Sequence, residues 1–543
     1  MTEQPMRRPI SRMEWLVVVA STVTASLVAS IWSWHHGTML NYGDAVAHLH
    51  IARRVIDSHR PGFSQLGSVW LPLPHLLMIP FVAVYAWWAN GIAGLIPSAL
   101  AYTAGSAGVY RLARHWLRPS AAVVALAFFA LNPNLLYLQT TAMTEPLFLC
   151  EMIWLAVWLV EWRSALNVDA ARAARLLCCI ALALVAAVFT RYDGWILALL
   201  GWTSVGIVQL RTSSLRSRAF WLASAAVVAA PLVWFAYNAV VFGDWLDFAR
   251  GPYSAAAIEL RTATPGTGPP HPGWHNPWVS LLFFVKCAEM DAAPESWGNV
   301  LLWFALLGTA WGCVTSTRKA FLWTLFLWLP IPFYAYSIAF GSVPIFLPVW
   351  WPHSWYNTRY GMEMLPAFAL GLGFIAQLAI AIVGDFKQNW TRAAAATLYA
   401  IVGVNALALL RDGPLTYIES TKNLDSRRVF EAEIPPLLRS LLATRPGGLV
   451  LMKTSVYPNL VAFSGFPLRQ TLNESDREYY AAALDSPATH AAIVLAFDGD
   501  DVDRAVKAHA EGLKSVRRFD APGEKSGTVY VSDTPPDRKA TER

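Results

Sequence analysis

Apolar runs of about 20 residues recur along most of the chain, separated by short polar connections. As helices rising ~1.5 Å per residue, such runs are long enough to cross ~30 Å of hydrocarbon. Run length and charge together predict eleven spanning helices, at 14–33, 93–112, 119–137, 143–162, 174–190, 194–210, 219–241, 297–315, 320–341, 361–383 and 394–411. The predicted fold class is a polytopic α-helical membrane protein of about 11 transmembrane helices. It has an outer-face first loop containing amphipathic helices, and a small C-terminal α/β soluble domain. The first run, Trp15 to Trp32, is longer than the ~7–15 residues of a signal-peptide core and reads as an uncleaved anchor.

The segment "VWLPLPHLLMIPFVAVYAWW" is apolar but carries Pro72, Pro74 and Pro80, each of which removes a backbone donor. Read as a broken helix at the outer face, it leaves "MRRPISR", "RLARHWLR", "EWRSALNVDAARAAR", "RTSSLRSR", "STRK" and "FKQNWTR" on one side. The positive-inside rule makes that side cytoplasmic, with the N-terminus. Residues 34–92, "NPNLLYLQTTAMTEP", "TRYDGW", the 242–296 loop and "PVWWPHSWYNTRY" then share the outer face of an integral plasma (inner) membrane protein. Within the long loop, "TPGTGPPHPGW" reads as a linker or flap and "PWVSLLFFV" as an interfacial helix.

After Leu410 the pattern turns soluble. Helix-like runs "SRRVFEAEIPPLLRSLLA" and "DDVDRAVKAHAEGL" alternate with strand-like "GLVLMK", "AAIVLAF" and "GTVYVS". The expected division is 1–411 membrane domain and 412–543 extracytoplasmic α/β domain. The latter carries no Gly-rich phosphate loop, and Asn473 opens a glycosylation triplet.

Composition agrees: 55% of residues are hydrophobic and 14% charged. The net charge of +6 is scattered in short clusters instead of one basic face, which argues against nucleic acid as a partner. Of the five cysteines, Cys150, Cys178, Cys179 and Cys313 lie in or beside apolar segments and Cys287 in an interfacial stretch, which implies neither a disulfide framework nor a thiolate metal site.

Several ionisable residues stand at the outer ends of the runs. Asp44, in "NYGDAVAHLHIARR", opens a short amphipathic helix on which Val46, Leu49, Val55 and Ile56 form the apolar positions, leaving Asp44, His48 and Arg54 to face a cavity. As an Asp at a helix start it is also an ordinary capping residue. Glu145, in "TTAMTEPLF", is either helix-start chemistry with Pro146 or a second acidic site for substrate or a metal. Arg191 and Asp193 share a very short connection beside Tyr192 and Trp195, and either pair with each other or anchor the interface. Arg359, flanked by Tyr356, Asn357 and Tyr360, either binds phosphate through its planar fork or snorkels to headgroups. His48 and His50 are two apart and diverge on a helix, so with His75, His271, His275 and His353 they suggest hydrogen-bonding roles more than a metal site.

The ordered set "GDAVAHLHIARRVID", "SVWLPLPHLL", "NPNLLYLQTTAMTEPLF", "TRYDGW" and "YNTRYGMEMLP" resembles the GT-C superfamily of membrane glycosyltransferases over residues 10–410. The similarity is greatest to the dolichyl-phosphate-mannose-protein mannosyltransferase-like and aminoarabinose-transferase-like members. That resemblance implies transfer of a sugar from a polyprenyl-phosphate carrier to a glycan, lipid or protein hydroxyl at the outer face, within membrane lipid. It implies Asp44 as catalytic base, Glu145 as a second acid near the donor phosphate, and Arg359 on that phosphate. Arg191 and Tyr360 join it there, with His48, Tyr356, Asn357 and Asp193 as further substrate contacts. The family often shows an acidic pair where this chain has Asp44–Ala45, which leaves no certain cofactor and a divalent metal as the candidate. A multi-helix transporter or lipid flippase is the alternative, and a binding scaffold a third. Transporters place charges and helix breaks near the midplane, often in related halves, whereas here the charges sit at the ends of runs and no internal repeat is visible.

Overall fold

The structure, a computed structural model, describes residues 9–212, 217–262, 269–316, 319–387 and 390–533. Parts of four of the basic connections and of the Pro/Gly stretch therefore lie outside the described residues.

The chain forms two compact units. The first comprises the residues up to His36, Ser68–Pro74 and Pro97–Glu419. Among the described residues, nine helices have the length and apolarity to cross a membrane: Arg12–His36, Ile92–Ala113, Ala170–Thr190, Asp193–Arg211, Arg218–Phe242, Trp297–Thr315, Ala320–Phe340, Thr358–Phe386 and Thr391–Asp425. Glu145–Ala165 is also 21 residues long but carries Glu145, Glu151, Glu161 and Arg163. The protein is an integral membrane protein. Exposed Leu16, Val17, Leu27, Val28 and Ile31 on the first helix are the side chains that lipid would cover.

The run expected at 119–137 is not one helix. Helix Pro119–Ala130 stops before Asn132, and a new helix, Pro133–Leu138, begins with Asn132 as its cap. Pro133 disfavours helical backbone at the residue before it, and the Asn132 side chain accepts from Asn134 N at 2.9 Å and Leu135 N at 3.3 Å. The 12-residue helix reaches only about 18 Å. The doubtful 70–88 segment is likewise broken, into Leu73–Val82 and Tyr85–Asn90, and neither piece is long enough to span.

Where membrane helices meet most closely, side chains are absent. A Cβ on Gly308 would stand 1.9 Å from Gly371 O, and one on Gly371 would stand 2.2 Å from Ala305 O. Helices Glu295–Thr315 and Leu365–Phe386 thus touch backbone to backbone, as small residues permit in lipid.

The second unit comprises Gly37–Gly67, His75–Ile96 and Ser420 onward. Its sheet has strands β1 (Val450–Met452), β2 (Thr471–Leu472), β3 (Ile493–Phe497), β4 (Leu513–Phe519) and β5 (Gly527–Ser532) in the order β2-β1-β3-β5-β4. β1 runs parallel to β2 and β3, while β5 is antiparallel to β3 and β4. β1 and β3 are buried on both faces, which is why they read as unbroken apolar runs. Leu451, Leu472, Val494, Val502 and Val506 form the core between sheet and helices. The first-loop residues are tied into this unit. Arg53 donates to Val82 O at 2.6 Å and to Asp57 Oδ2 at 2.8 Å, and Asp57 in turn accepts from Leu468 N at 3.1 Å. Asn473 is buried, donating to Thr471 Oγ1 and capping Ser475 N, so its amide is committed within the fold.

Candidate functional site

Three connections of the first unit each bring a polar tip to the end of an apolar helix. Glu145 opens Glu145–Ala165 with Pro146 in its first turn, where a missing N–H costs nothing. Arg191, in extended conformation, ends Ala170–Thr190, and Asp193 opens the next helix two residues later. That reversal requires Gly194, since a Cβ there would stand 2.1 Å from Ala187 O. Asn357 adopts a left-handed φ of 55° and starts the tight 3-10 turn Thr358–Met364 that leads into Leu365–Phe386.

These tips converge in one buried ionic cluster. Glu145, 1% exposed, accepts at Oε1 from Arg191 Nη1 and from Arg359 Nε, each at 3.1 Å. Its Oε2 has no partner. Arg191 also reaches Asp193 Oδ2 (3.2 Å, Nε), Thr144 Oγ1 (3.1 Å, Nη1), Tyr334 OH (2.8 Å, Nη2) and Glu363 Oε1 (3.2 Å, Nη2). Tyr334 donates its hydroxyl to Glu363 Oε1 at 2.7 Å. Arg359 Nη1 donates to Glu419 Oε1 at 2.9 Å, and the Glu419 carboxylate also caps the 3-10 turn by accepting Asn357 N at 2.8 Å and Thr358 N at 3.0 Å. Both guanidinium carbons stand 5.0 Å from the centroid of the Tyr360 ring, which stacks on Tyr334 at 5.1 Å.

Asn132 and Asn134 tie their helix start to two other segments of the first unit. Their amides donate to Asp291 O at 2.7 and 3.1 Å, and Asn134 Oδ1 accepts Thr416 N at 3.1 Å. Asp291 is buried with Oδ1 unpartnered.

The structure therefore brings together Glu145, Arg191, Asp193, Arg359 and Tyr360. Asn357 contributes its backbone N–H, while its side chain donates to Pro344 O at 2.8 Å. Tyr356 does not join them: it is 42% exposed and forms a β-bridge with Phe346. Sequence reasoning missed Glu363, Tyr334, Glu419 and Thr144. Glu363 had a signal, an ionisable residue in the first turn of an apolar run, four residues after Arg359. Tyr334 had none.

Two guanidiniums against four carboxylates make a cluster that presents fork-shaped donors around an aromatic ring, the donor set suited to phosphate oxygens. Glu145 Oε1 serves both cations, and no group of three His, Cys, Asp or Glu side chains placed to hold a metal occurs among the described residues.

Asp44 and His48 belong to the second unit. Asp44 sits in the first turn of helix Gly43–Arg54, half-buried, with the cap residue Tyr42 making no side-chain cap bond. The preceding turn is fixed by Arg427, which donates to Leu40 O (3.2 Å) and Asn41 O (2.6 Å) and pairs with Glu431 at 2.9 Å. Burial lowers the Arg427 guanidinium from its ordinary value, opposed by the charges of Glu431 and Asp44. His48 does not face open space; it is buried, with Nδ1 2.8 Å from His75 Nε2. His50, 4% exposed, has no hydrogen-bond partner at either ring nitrogen among the described residues.

No family model matches the chain, and no curated protein matches it in sequence. Several solved structures match its fold, among them two of ArnT. ArnT from Cupriavidus metallidurans bound to undecaprenyl phosphate aligns with a TM-score of 0.55 at 13% identity, covering 97% of this chain and 100% of that one. ArnT from the same organism in the apo state aligns at 0.53 and 15% identity, covering 95% and 98%. The chain thus shares the fold of these two ArnT structures.

Proposed function

We propose that the protein is an inverting glycosyltransferase that moves a sugar from a polyprenyl-phosphate carrier to a hydroxyl acceptor at the outer membrane face. The observation that carries this reading is the pair Arg191 and Arg359, buried at helix ends around Tyr360, in a fold shared with a protein crystallised with undecaprenyl phosphate. A departing lipid phosphate needs no proton, but its growing negative charge requires cations already in place. Arg191 and Arg359 are the residues proposed to supply them, with Tyr360 lining the phosphate and Asp193 orienting Arg191 through the 3.2 Å contact.

Asp44 is the proposed general base, taking the acceptor hydroxyl's proton as the sugar passes through an oxocarbenium-like state. Its turn is held by Arg427, which supports a fixed carboxylate there. Arg427 and the Asp44 loop lie in the same unit as the C-terminal sheet, so that domain has at least a positioning role in the proposal. If a divalent ion takes part, the unpartnered Glu145 Oε2 is the oxygen left to meet it.

The test is purified protein supplied with a panel of polyprenyl-phosphate sugars and a mixed acceptor pool, with and without chelator. Release of polyprenyl phosphate matched by glycosylated acceptor supports the reading. Movement of carrier across a bilayer with no sugar released would replace it with the flippase reading.

A further inference from the structure

Glu145 joins the two arginines through a single oxygen. Oε1 takes both 3.1 Å contacts, while Oε2 of the same carboxylate is buried with nothing to accept from among the described residues. A carboxylate committed to two guanidiniums ordinarily presents both oxygens, because the fork of Arg is matched by two acceptors. This one is held by half its capacity, in surroundings where an unsatisfied polar atom is costly. Glu363 Oε2 is likewise without a partner among the described residues, but Glu363 has a donor of its own in the Tyr334 hydroxyl, whereas the contacts of Glu145 are to the arginines themselves.

The other anions are better anchored. Glu419 is fixed by three hydrogen bonds from Asn357 N, Thr358 N and Thr358 Oγ1 in addition to Arg359. Asp193 is fixed by Gly194 N at 3.0 Å, and Glu363 by the Tyr334 hydroxyl. Each arginine keeps one of these if Glu145 leaves: Arg191 keeps Asp193 and Glu363, and Arg359 keeps Glu419. Removing Glu145 from the cluster consequently leaves neither arginine without a carboxylate.

We infer that Glu145 is an exchangeable internal anion that occupies the phosphate's place between Arg191 and Arg359 and is displaced when the carrier phosphate binds. This rests on the reading of those arginines as the phosphate site. A phosphate monoester or diester brings several acceptor oxygens to the same two forks, and Glu145 yields because it alone binds both arginines with no anchoring donor of its own. The exchange also explains how a dianionic product leaves. After transfer, return of Glu145 to its 3.1 Å contacts competes the spent carrier phosphate away, so the same carboxylate weakens binding and speeds turnover.

The experiment measures undecaprenyl phosphate binding to full-length purified protein, with Glu145→Gln as the central variant and Arg359→Gln as reference. The expected result is at least tenfold tighter binding for Glu145→Gln, together with a fall in both KM and kcat for the glycosylated donor, because product release slows. A carboxamide keeps the volume and one acceptor oxygen but not the charge, and Glu145→Asp, which keeps the charge, returns Kd toward wild type. Unchanged or weaker binding in a folded Glu145→Gln protein overturns the exchange. If Glu145→Gln does not fold, competition decides: free phosphate must displace undecaprenyl phosphate from Glu145→Asp and wild type alike, and failure to compete in both overturns it. Failure of the underlying reading looks different, since Arg359→Gln would then bind undecaprenyl phosphate as tightly as wild type.

Discussion

Arg191 and Arg359 share one carboxylate oxygen, Glu145 Oε1, at 3.1 Å each, although they are 168 positions apart and come from different helix ends. Their common neighbour Tyr360 lies 5.0 Å from each guanidinium carbon. The two cations are thus held as a pair by what lies between them, and a change to either alters the position of the other.

Arg359→Lys tests whether that geometry or mere charge matters. A lysine cannot reach Glu145 and Glu419 at once as Nε and Nη1 of the guanidinium do. The donor KM is expected to rise about tenfold or more, equivalent to about 1.4 kcal/mol, in steady-state transfer assays. Wild-type KM in Arg359→Lys would show that a point charge suffices.

Arg427 makes a second, separate prediction. Arg427→Ala leaves Glu431 buried without its cation and frees Leu40 O and Asn41 O. Breaking such a buried pair costs roughly 3–5 kcal/mol, so thermal unfolding should shift down markedly. Transfer should also fall, because the turn ahead of Asp44 is loosened. Arg427→Lys should recover part of the stability and little of the activity.

His50 sets an acid limit on the second unit. Burial, with a smaller contribution from Arg54, pushes its imidazole down from 6.5 to about 3. The unfolded chain takes up that proton as pH falls through about 6.5, and the folded chain does so only near 3. Stability contributed by neutral His50 is therefore complete above about 6.5 and declines as pH falls toward 3, by up to about 1.4 kcal/mol per unit. Melting temperatures between pH 7 and pH 4 should fall more steeply in wild type than in His50→Leu. Parallel slopes would remove His50 as the cause.

Most of the cluster was legible because ionisable residues beside apolar runs stand out: Glu145, Arg191, Asp193 and Arg359 all did so, and all meet. Glu363 carried the same signal just inside an apolar run and was passed over, while Tyr334 is indistinguishable from an interfacial aromatic. Glu419 was hidden by its position in a segment that reads as soluble. The long helices followed from hydropathy, while the break at Asn132–Pro133 was half legible: "NPNLLYLQTTAMTEP" reads as an outer loop, yet the apolar run continues to 137 past the Asn132 cap and Pro133 that end the helix. In the sheet, β1 and β3 announced themselves by unbroken apolarity and β5 by its β-branched and aromatic residues, but β4, "LKSVRRF", is exposed along most of its length and carries three basic residues. His48 was read as facing a cavity and instead pairs with His75, a contact between residues 27 positions apart that helical spacing does not reveal.

The central claim is sugar transfer with Asp44 as base, and one comparison tests it most directly: turnover of polyprenyl-phosphate sugars by wild type and by Asp44→Asn. Asn keeps the size and helix-start position of Asp44 but cannot accept a proton. The account predicts that wild type releases polyprenyl phosphate and glycosylates a hydroxyl acceptor. It predicts that folded, membrane-inserted Asp44→Asn loses at least about 10²-fold in kcat, the lower range for a general base. Full activity in Asp44→Asn, or no sugar released from any donor by folded wild type, would contradict it.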